Sequence, residues 1–238
     1  MSTASELPRD LAVLHHVARY RIGLHEVLSQ CFFDGKDPGR VVGLLAKETS
    51  HRPALLKRHS RELRNNLSYV TLTPAGAARV GVPLKRAANP LGGVALDKAI
   101  QLSVFCCLGS HRRHRLERQE LVRAFGQTAT PPKNVFHVVT NELPYPAILR
   151  AVFATSSDRR QLDRLRRHVD ETRKNHAIRP YLEAGDYGYA ILVPWPDKVV
   201  ALHELIASSP LSKDIVCIVD IGPTNATLHT VITKVTCP

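Results

Sequence analysis

The chain has 238 residues, with 33 lysines and arginines against 21 aspartates and glutamates, and therefore a formal net charge of +12. Hydrophobic residues make up 44% and charged residues 23%, a globular composition that excludes a wholly disordered tail protein. The length is enough for one or two domains with their own cores, and the positive surplus predicts a polyanionic partner, with nucleic acid ahead of membrane.

The positive charge is concentrated in the N-terminal two thirds of the chain. Residues 1–90 contain 14 basic and 7 acidic side chains, and residues 91–150 contain 8 and 4. Residues 151–238 contain 11 and 10, so this segment is close to neutral. We therefore expect the polyanion to bind the N-terminal part.

Targeting and redox features are sparse in the sequence. Met1–Arg9 lacks the apolar segment of a secretory signal, and no apolar run approaches the roughly 20 residues that cross a bilayer. The five cysteines are an odd number without a CxxC pair, which argues against a disulfide framework or a zinc ribbon. We expect a cytoplasmic, nucleoid-associated protein with no membrane partner.

Three helices are predicted first, over residues 8–20, 24–32 and 38–48, because apolar residues recur there at helical spacing. Asp37 is expected to cap the third helix, with Pro38 at its first position. Two short strands follow, and the very polar segment between them ends in Asn65-Asn66, which tolerates the positive φ of a tight turn. The strands are predicted over residues 54–58 and 67–72. This order is that of a winged helix-turn-helix.

A short motif adds a family resemblance. Tyr69-Val70-Thr71-Leu72-Thr73-Pro74-Ala75-Gly76-Ala77 resembles the second wing strand and following helix start of many bacterial winged-helix proteins. Arg9-Asp10-Leu11 opening the first helix, and Leu28 to Phe33 before a short turn, are also similar. Over about the first 85 residues the chain resembles the replication-relaxation family, winged-helix proteins of plasmids and mobile elements.

Candidate DNA contacts follow from how winged helices bind. The third helix enters the major groove, and the wing reaches phosphates or the minor groove. From the third helix and just beyond it we predict Arg40, Lys47, His51 and Arg52, and from the wing Lys57, Arg58, Arg61 and Arg64. The alternative is a solvated basic face on a domain that binds protein instead.

The middle of the chain is predicted to be a connector and two helices. Residues 82–93 contain proline and glycine, residues 96–108 form a strongly apolar helix, and residues 116–125 form another. The basic cluster between them is interpreted as a solvated loop or as a second phosphate contact through Arg112, Arg113 and Arg115. A metal site of Cys106, Cys107, His111 and His114 is the least favoured interpretation, because adjacent cysteines on a helix point apart.

The C-terminal third has an α/β pattern. Strands and helices alternate so as to predict a small mixed sheet with helices packed on it. The predicted strands are 135–140, 147–155, 187–193, 215–221 and 227–235, and the predicted helices are 158–174 and 198–206, with Ser156 or Ser157 as the cap of the first. The element order resembles the core of restriction-endonuclease-like domains.

Nuclease chemistry requires carboxylates that the sequence does not supply. That chemistry needs an aspartate at one strand end and Glu-x-Lys on the next strand to hold a divalent metal. The strand over 147–155 has no carboxylate, and Asp197 and Asp220 are interpreted as a helix cap and a turn residue. Trp195, the single tryptophan, is interpreted as a packing anchor.

These observations predict an α+β protein with three parts. Residues 1–85 are the winged helix-turn-helix, 86–133 a helical connector, and 134–238 an α/β domain, such as a degenerate restriction-endonuclease-like core, for dimerisation or partner binding. The predicted function is sequence-specific binding of double-stranded DNA by a homodimeric transcriptional regulator of a plasmid, phage or other mobile element. No catalytic residue, metal or cofactor is predicted. The alternatives are a DNA-processing, relaxosome or replication accessory protein, or a diverged metal-dependent nuclease.

Overall fold

A computed structural model describes residues 8–60, 63–65, 67–84, 87, 91–108, 113–126, 135–141, 147–154 and 157–236. The described residues form a mixed α+β structure with two sheets, as the composition and periodicity predict. The elements in chain order are α1 (Arg9–Tyr20), β1 (Gly23–Leu24), α2 (His25–Phe32), α3 (Gly39–Ala46), β2 (Leu56–His59), β3 (Tyr69–Leu72), α4 (Pro74–Arg79), α5 (Gly93–Cys107), β4 (Arg113–Arg115), α6 (Arg118–Phe125), β5 (Phe136–Thr140), β6 (Ile148–Phe153), α7 (Asp158–Arg173), α8 (Arg179–Ala184), β7 (Tyr187–Val193), α9 (Asp197–Ala207), β8 (Cys217–Ile221) and α10 (Leu228–Thr236).

The chain divides into two units. Unit 1 comprises residues 1–103 and 228–238, and unit 2 comprises residues 104–227. The boundary therefore falls inside α5, and the last helix, α10, belongs to unit 1. The predicted partition at residues 85 and 133 differs, because β4 and α6, which lie in the predicted connector, are part of unit 2.

Unit 1 is built on a small antiparallel sheet. Its strand order is β1-β3-β2, and β3 pairs with both neighbours. One side of α1, with Val13, Leu14 and Val17, is buried in the same apolar cluster as Leu56 of β2 and Leu72 of β3. The apolar residues that predict helix α1 from their spacing are thus the same residues that pack α1 against the sheet.

A dense corner joins α3, β2 and α4. The backbone N–H of Leu55 donates to the carbonyl oxygen of Leu45 at 2.7 Å, and that of Thr73 donates to the carbonyl oxygen of Leu55 at 3.0 Å. Thr73 also caps α4, because its hydroxyl accepts from the N–H of Gly76 at 3.0 Å, and Pro74 occupies the first turn. Thr73, Pro74 and Gly76 of the predicted motif therefore each have a structural role here.

Unit 2 contains a five-stranded mixed sheet. The strand order is β4-β5-β6-β7-β8, antiparallel between β4, β5 and β6 and parallel between β6, β7 and β8. All seven residues of β7 are buried, as a central strand covered on both faces requires. Both parallel connections contain helices, α7 and α8 between β6 and β7 and α9 between β7 and β8.

Two local expectations are wrong, and a third is met only in part. The segment predicted as a fifth strand, 227–235, is helix α10, whose Leu228, Val231 and Ile232 are buried at helical spacing. Part of the predicted basic loop is strand β4, which pairs with β5. Ser157 is the N-cap residue of α7, as one of the two alternatives predicted, but its side chain makes no cap hydrogen bond; Ser156 lies outside the described residues.

The remaining helices and strands of the prediction that lie in the described ranges agree within a few residues, including the strand at Tyr187–Val193. None of the helices in these ranges combines the length and the apolar character that a membrane crossing requires.

Candidate nucleic-acid interface

Helix α3 presents a basic, solvent-exposed face. The Oδ1 of Asp37 accepts a hydrogen bond of 2.7 Å from the N–H of Gly39, the first residue of α3, but the N-cap residue is Pro38 and not Asp37 as predicted. Arg40, Leu44 and Lys47 are exposed at i, i+4 and i+7, and Leu44 is 54% exposed. The four-residue spacing puts Arg40 and Leu44 on one side of the helix, and Lys47 directly follows its last residue. α3 itself contains no acidic residue.

The turn after α3 carries the next two predicted contacts. The backbone N–H of Thr49 donates to the carbonyl oxygen of Arg52 at 2.9 Å, and the reverse bond measures 3.2 Å, which leaves His51 exposed within the turn. The guanidinium of Arg52 donates to the carbonyl oxygen of Leu44 in the last turn of α3. Arg52 therefore places a positive charge at the helix C-terminus, where the helix dipole favours it.

Arg58 and Lys57 are neighbours on β2 but leave it on opposite faces of the sheet. Arg58 extends over α3, because its Nη2 donates to the carbonyl oxygen of Gly39 at 3.4 Å. A Cβ placed on Gly43 would lie 3.5 Å from the same Nη2. The side chain of Arg58 therefore lies on the side of the sheet that faces α3, and strand alternation directs the side chain of Lys57 to the other side.

The remaining wing residues are described in part. Arg64 is exposed in the segment between β2 and β3, and Asn65 has a φ of 57°, so its expected left-handed conformation is confirmed. Arg61 and Asn66 lie outside the described residues.

Arg113, predicted as a second phosphate contact, is held inside unit 2. Its side chain is 7% exposed, and its Nη1 pairs with Oδ2 of Asp220 at 2.9 Å. The guanidinium also lies 4.2 Å from the ring centroid of Phe105, in a cation–π contact. Asp220 is accordingly an ion-pair partner within β8 rather than a turn residue. Phosphate contact through Arg113 would require this arrangement to break, so that prediction is wrong.

Of the other two predicted phosphate contacts in that cluster, the structure describes only Arg115. Arg115 is half-buried, with its guanidinium 4.8 Å from the ring centroid of Phe136. Arg112 lies outside the described residues. The cluster is therefore not a solvated loop over 113–115, because these residues form β4.

A polar cluster that the sequence did not reveal lies between β5, β6 and α7. Arg150 donates to Nδ1 of His168 at 2.8 Å and to Glu171 at 3.2 Å, while Nε2 of His137 contacts the hydroxyl of Tyr187 at 2.9 Å. Burial, reinforced by the positive charge of Arg150, lowers the pKa of His137 to about 3 and also lowers the pKa of His168. His137 and Tyr187 are 1% exposed, so we interpret this cluster as structural.

The nuclease alternative receives no support from the strands that would have to supply carboxylates. His137 is the one ionisable residue of β5, and Arg150 is the one ionisable residue of β6. Across the described ranges, no three His, Cys, Asp or Glu residues group so that they could hold a metal ion. His111, a member of the least favoured metal set, lies outside those ranges.

Comparison of the chain with protein-family models, with curated proteins and with solved structures finds no significant match.

Proposed function

We propose that unit 1 is a winged helix-turn-helix that binds double-stranded DNA, with α3 in the major groove and the β2–β3 hairpin as the wing. The element order α1-β1-α2-α3-β2-β3 and the antiparallel strand order β1-β3-β2 support this proposal. In such a domain the third helix is the element that reads base edges.

The exposed face of α3 is the observation that carries the proposal. Arg40 and Lys47 are exposed on either side of Leu44. In the proposed complex these two cations would contact phosphates or the major-groove edges of guanines. Leu44 is 54% exposed although it is a large apolar residue on a core-packed helix. An apolar side chain between two cations suits contact with a thymine methyl group in the major groove.

The proposed role is that of a sequence-specific transcriptional regulator of a plasmid, phage or other mobile element. The positive surplus of residues 1–90 and the exposed cations Arg40 and Lys47 support this role. We propose that the protein acts as a homodimer, with unit 2 as the unit for dimerisation or partner binding. The two copies of α3 in the dimer would then bind two DNA half-sites that lie about one helical turn apart.

Selection of duplexes from a random library by the full chain tests this proposal, followed by affinity measurements at several salt concentrations. We expect an enriched sequence and a log–log salt slope of about −0.9 for each phosphate contacted. Failure to enrich any sequence, together with no duplex binding at low salt, overturns the proposal.

A further inference from the structure

A crevice of about 460 Å³ lies in unit 2 at the carboxyl ends of β6 and β7, and its lining includes Gln161, Trp195 and Lys198. β6 and β7 are adjacent and parallel, with Phe153 opposite Leu192 near their ends. In open α/β sheets, ligands bind outside the carboxyl ends of such strands. The volume is within the usual range of small-molecule sites.

Two helices begin at this edge of the sheet. α7 follows β6, and α9 follows β7, so each helix directs its N-terminal N–H groups to the end of the sheet where the crevice lies. Ser157, the residue before α7, makes no side-chain cap hydrogen bond, whereas the N–H groups of Lys198 and Val199 in the first turn of α9 already donate to the carbonyl oxygens of Trp195 and Pro196. The N-terminus of α7 favours a negatively charged group, and the ammonium of exposed Lys198 adds to that field, while Asp158 and Asp197 place carboxylates in the first turns of α7 and α9.

Gln161 is the independent sign of a ligand. It lines the crevice, it is 1% exposed, and neither Oε1 nor Nε2 has a hydrogen-bond partner in the structure. A buried primary amide without partners costs about 1–3 kcal/mol, so such a group normally has something to bind. One amide offers both a donor and an acceptor, which matches the edge of a nucleobase.

Trp195 supplies an aromatic surface beside this amide. It is 50% exposed, which contradicts the prediction of a packing anchor, and it lies between Pro194 and Pro196, whose fixed φ values restrict the backbone. A half-exposed indole at a crevice suits stacking on a planar base. Asp158 also lines the crevice, and a carboxylate there suits the ribose hydroxyls of the same ligand.

We propose that this crevice binds a nucleoside monophosphate, with the base against Trp195 and Gln161, the ribose at Asp158 and the phosphate at Lys198 and the N-terminus of α7. The site lies wholly within unit 2, and the proposal stands whether or not unit 1 binds DNA. Binding there makes unit 2 a sensor of a small ligand.

Intrinsic fluorescence offers a direct test, because Trp195 is the one tryptophan of the chain. The full-length protein is titrated with AMP, GMP, CMP and UMP, and separately with the four nucleosides and with inorganic phosphate. We expect a saturable change in Trp195 fluorescence with at least one nucleotide, at least tenfold weaker binding of its nucleoside, and no such change with phosphate. No saturable response to any nucleotide up to millimolar concentration overturns the proposal, as does a phosphate response equal to that of the nucleotides.

Gln161→Leu separates a ligand-binding amide from a structural one. It removes the amide with little change in volume, so we expect at least tenfold weaker nucleotide binding by calorimetry and a melting temperature no lower than that of the unmodified protein. Lys198→Ala is expected to weaken binding similarly. Lys174→Ala, which removes an exposed cation at the opposite end of α7, is the matched control and is expected to leave binding unchanged. Unchanged nucleotide binding by folded Gln161→Leu overturns the assignment.

Discussion

Gly76 lies so close to the carbonyl oxygen of Leu55 that a Cβ on residue 76 would overlap that oxygen. The same carbonyl accepts the hydrogen bond from Thr73, so it cannot move away without breaking the corner between α3, β2 and α4. A glycine at position 76 is therefore required by close packing of two backbone segments rather than by a positive φ.

Gly76→Ala is expected to destabilise unit 1 by more than about 2 kcal/mol, because the clash involves rigid backbone. Gly43→Ala is the matched control, since a Cβ there meets only the guanidinium of Arg58 at 3.5 Å in the middle of α3. The control is expected to stabilise by roughly 0.5–1 kcal/mol, the difference between alanine and glycine within a helix. Urea unfolding followed by circular dichroism measures both, and equal stability of the two variants contradicts the described corner.

Arg58→Ala and Lys57→Ala remove the same charge from adjacent residues on opposite faces of the sheet. Because Arg58 extends over α3 and strand alternation directs Lys57 to the other face, we expect Arg58→Ala to lower DNA affinity and reduce the salt slope by about one. Lys57→Ala is expected to change both quantities much less. Titrations of one duplex at four salt concentrations give the comparison, and a larger effect from Lys57→Ala contradicts the placement of the interface.

Arg113→Ala tests whether this arginine is structural. The loss of its ion pair with Asp220 and of its contact with Phe105 is expected to destabilise unit 2 by about 1–3 kcal/mol, less than for a fully buried pair because Asp220 is 41% exposed. Trp195 fluorescence reports the unfolding of this unit. DNA affinity is expected to stay within about twofold, and a large loss of affinity without a loss of stability contradicts the structural role.

The buried ring of His16 predicts a pH dependence of stability. Burial, with the nearby Arg19 charge, lowers the pKa of His16 from 6.5 to about 3. The unfolded chain therefore takes up a proton below pH 6.5 that the folded chain does not, so stability is full above that pH. It falls by about 1.4 kcal/mol per pH unit between pH 6.5 and 3. His137 adds a similar loss in unit 2.

His16→Phe keeps an aromatic ring against Tyr20 and Phe32 but cannot be protonated. We expect it to reduce the loss of stability between pH 7 and pH 5 by about 2 kcal/mol, as measured by urea unfolding at both pH values. An identical pH dependence in His16→Phe and the unmodified protein contradicts the burial of this ring.

Periodicity was sufficient to predict most elements but not their tertiary relations. The apolar residues of α1 and the continuous apolar run of β7 identify a helix and a central strand from local pattern alone. The valine, isoleucine and threonine residues of the 227–235 segment favour a strand in general, whereas burial of Leu228, Val231 and Ile232 at helical spacing favours the helix that the structure has.

Residues of the candidate sites could likewise be predicted from local sequence, but their tertiary contacts could not. Arg40 and Lys47 could be predicted because Arg40 lies on α3 and Lys47 directly follows its last residue. The burial of Arg113 could not, since its partner Asp220 lies far along the chain in β8. Likewise, Gln161 and Trp195 line one crevice only because β6 and β7 pair in parallel.

The most direct measurement of the central claim is the duplex affinity of Arg40→Glu/Lys47→Glu, beside the control Arg160→Glu/Arg167→Glu. Both double variants change the net charge equally, but the control residues are exposed on α7 of unit 2. If α3 enters the major groove, the α3 variant loses at least 100-fold in affinity and its salt slope becomes shallower by about two, while the control stays within a few-fold. Equal losses in the two folded variants would show that only net charge binds DNA, and would contradict the assignment of α3 as the recognition helix.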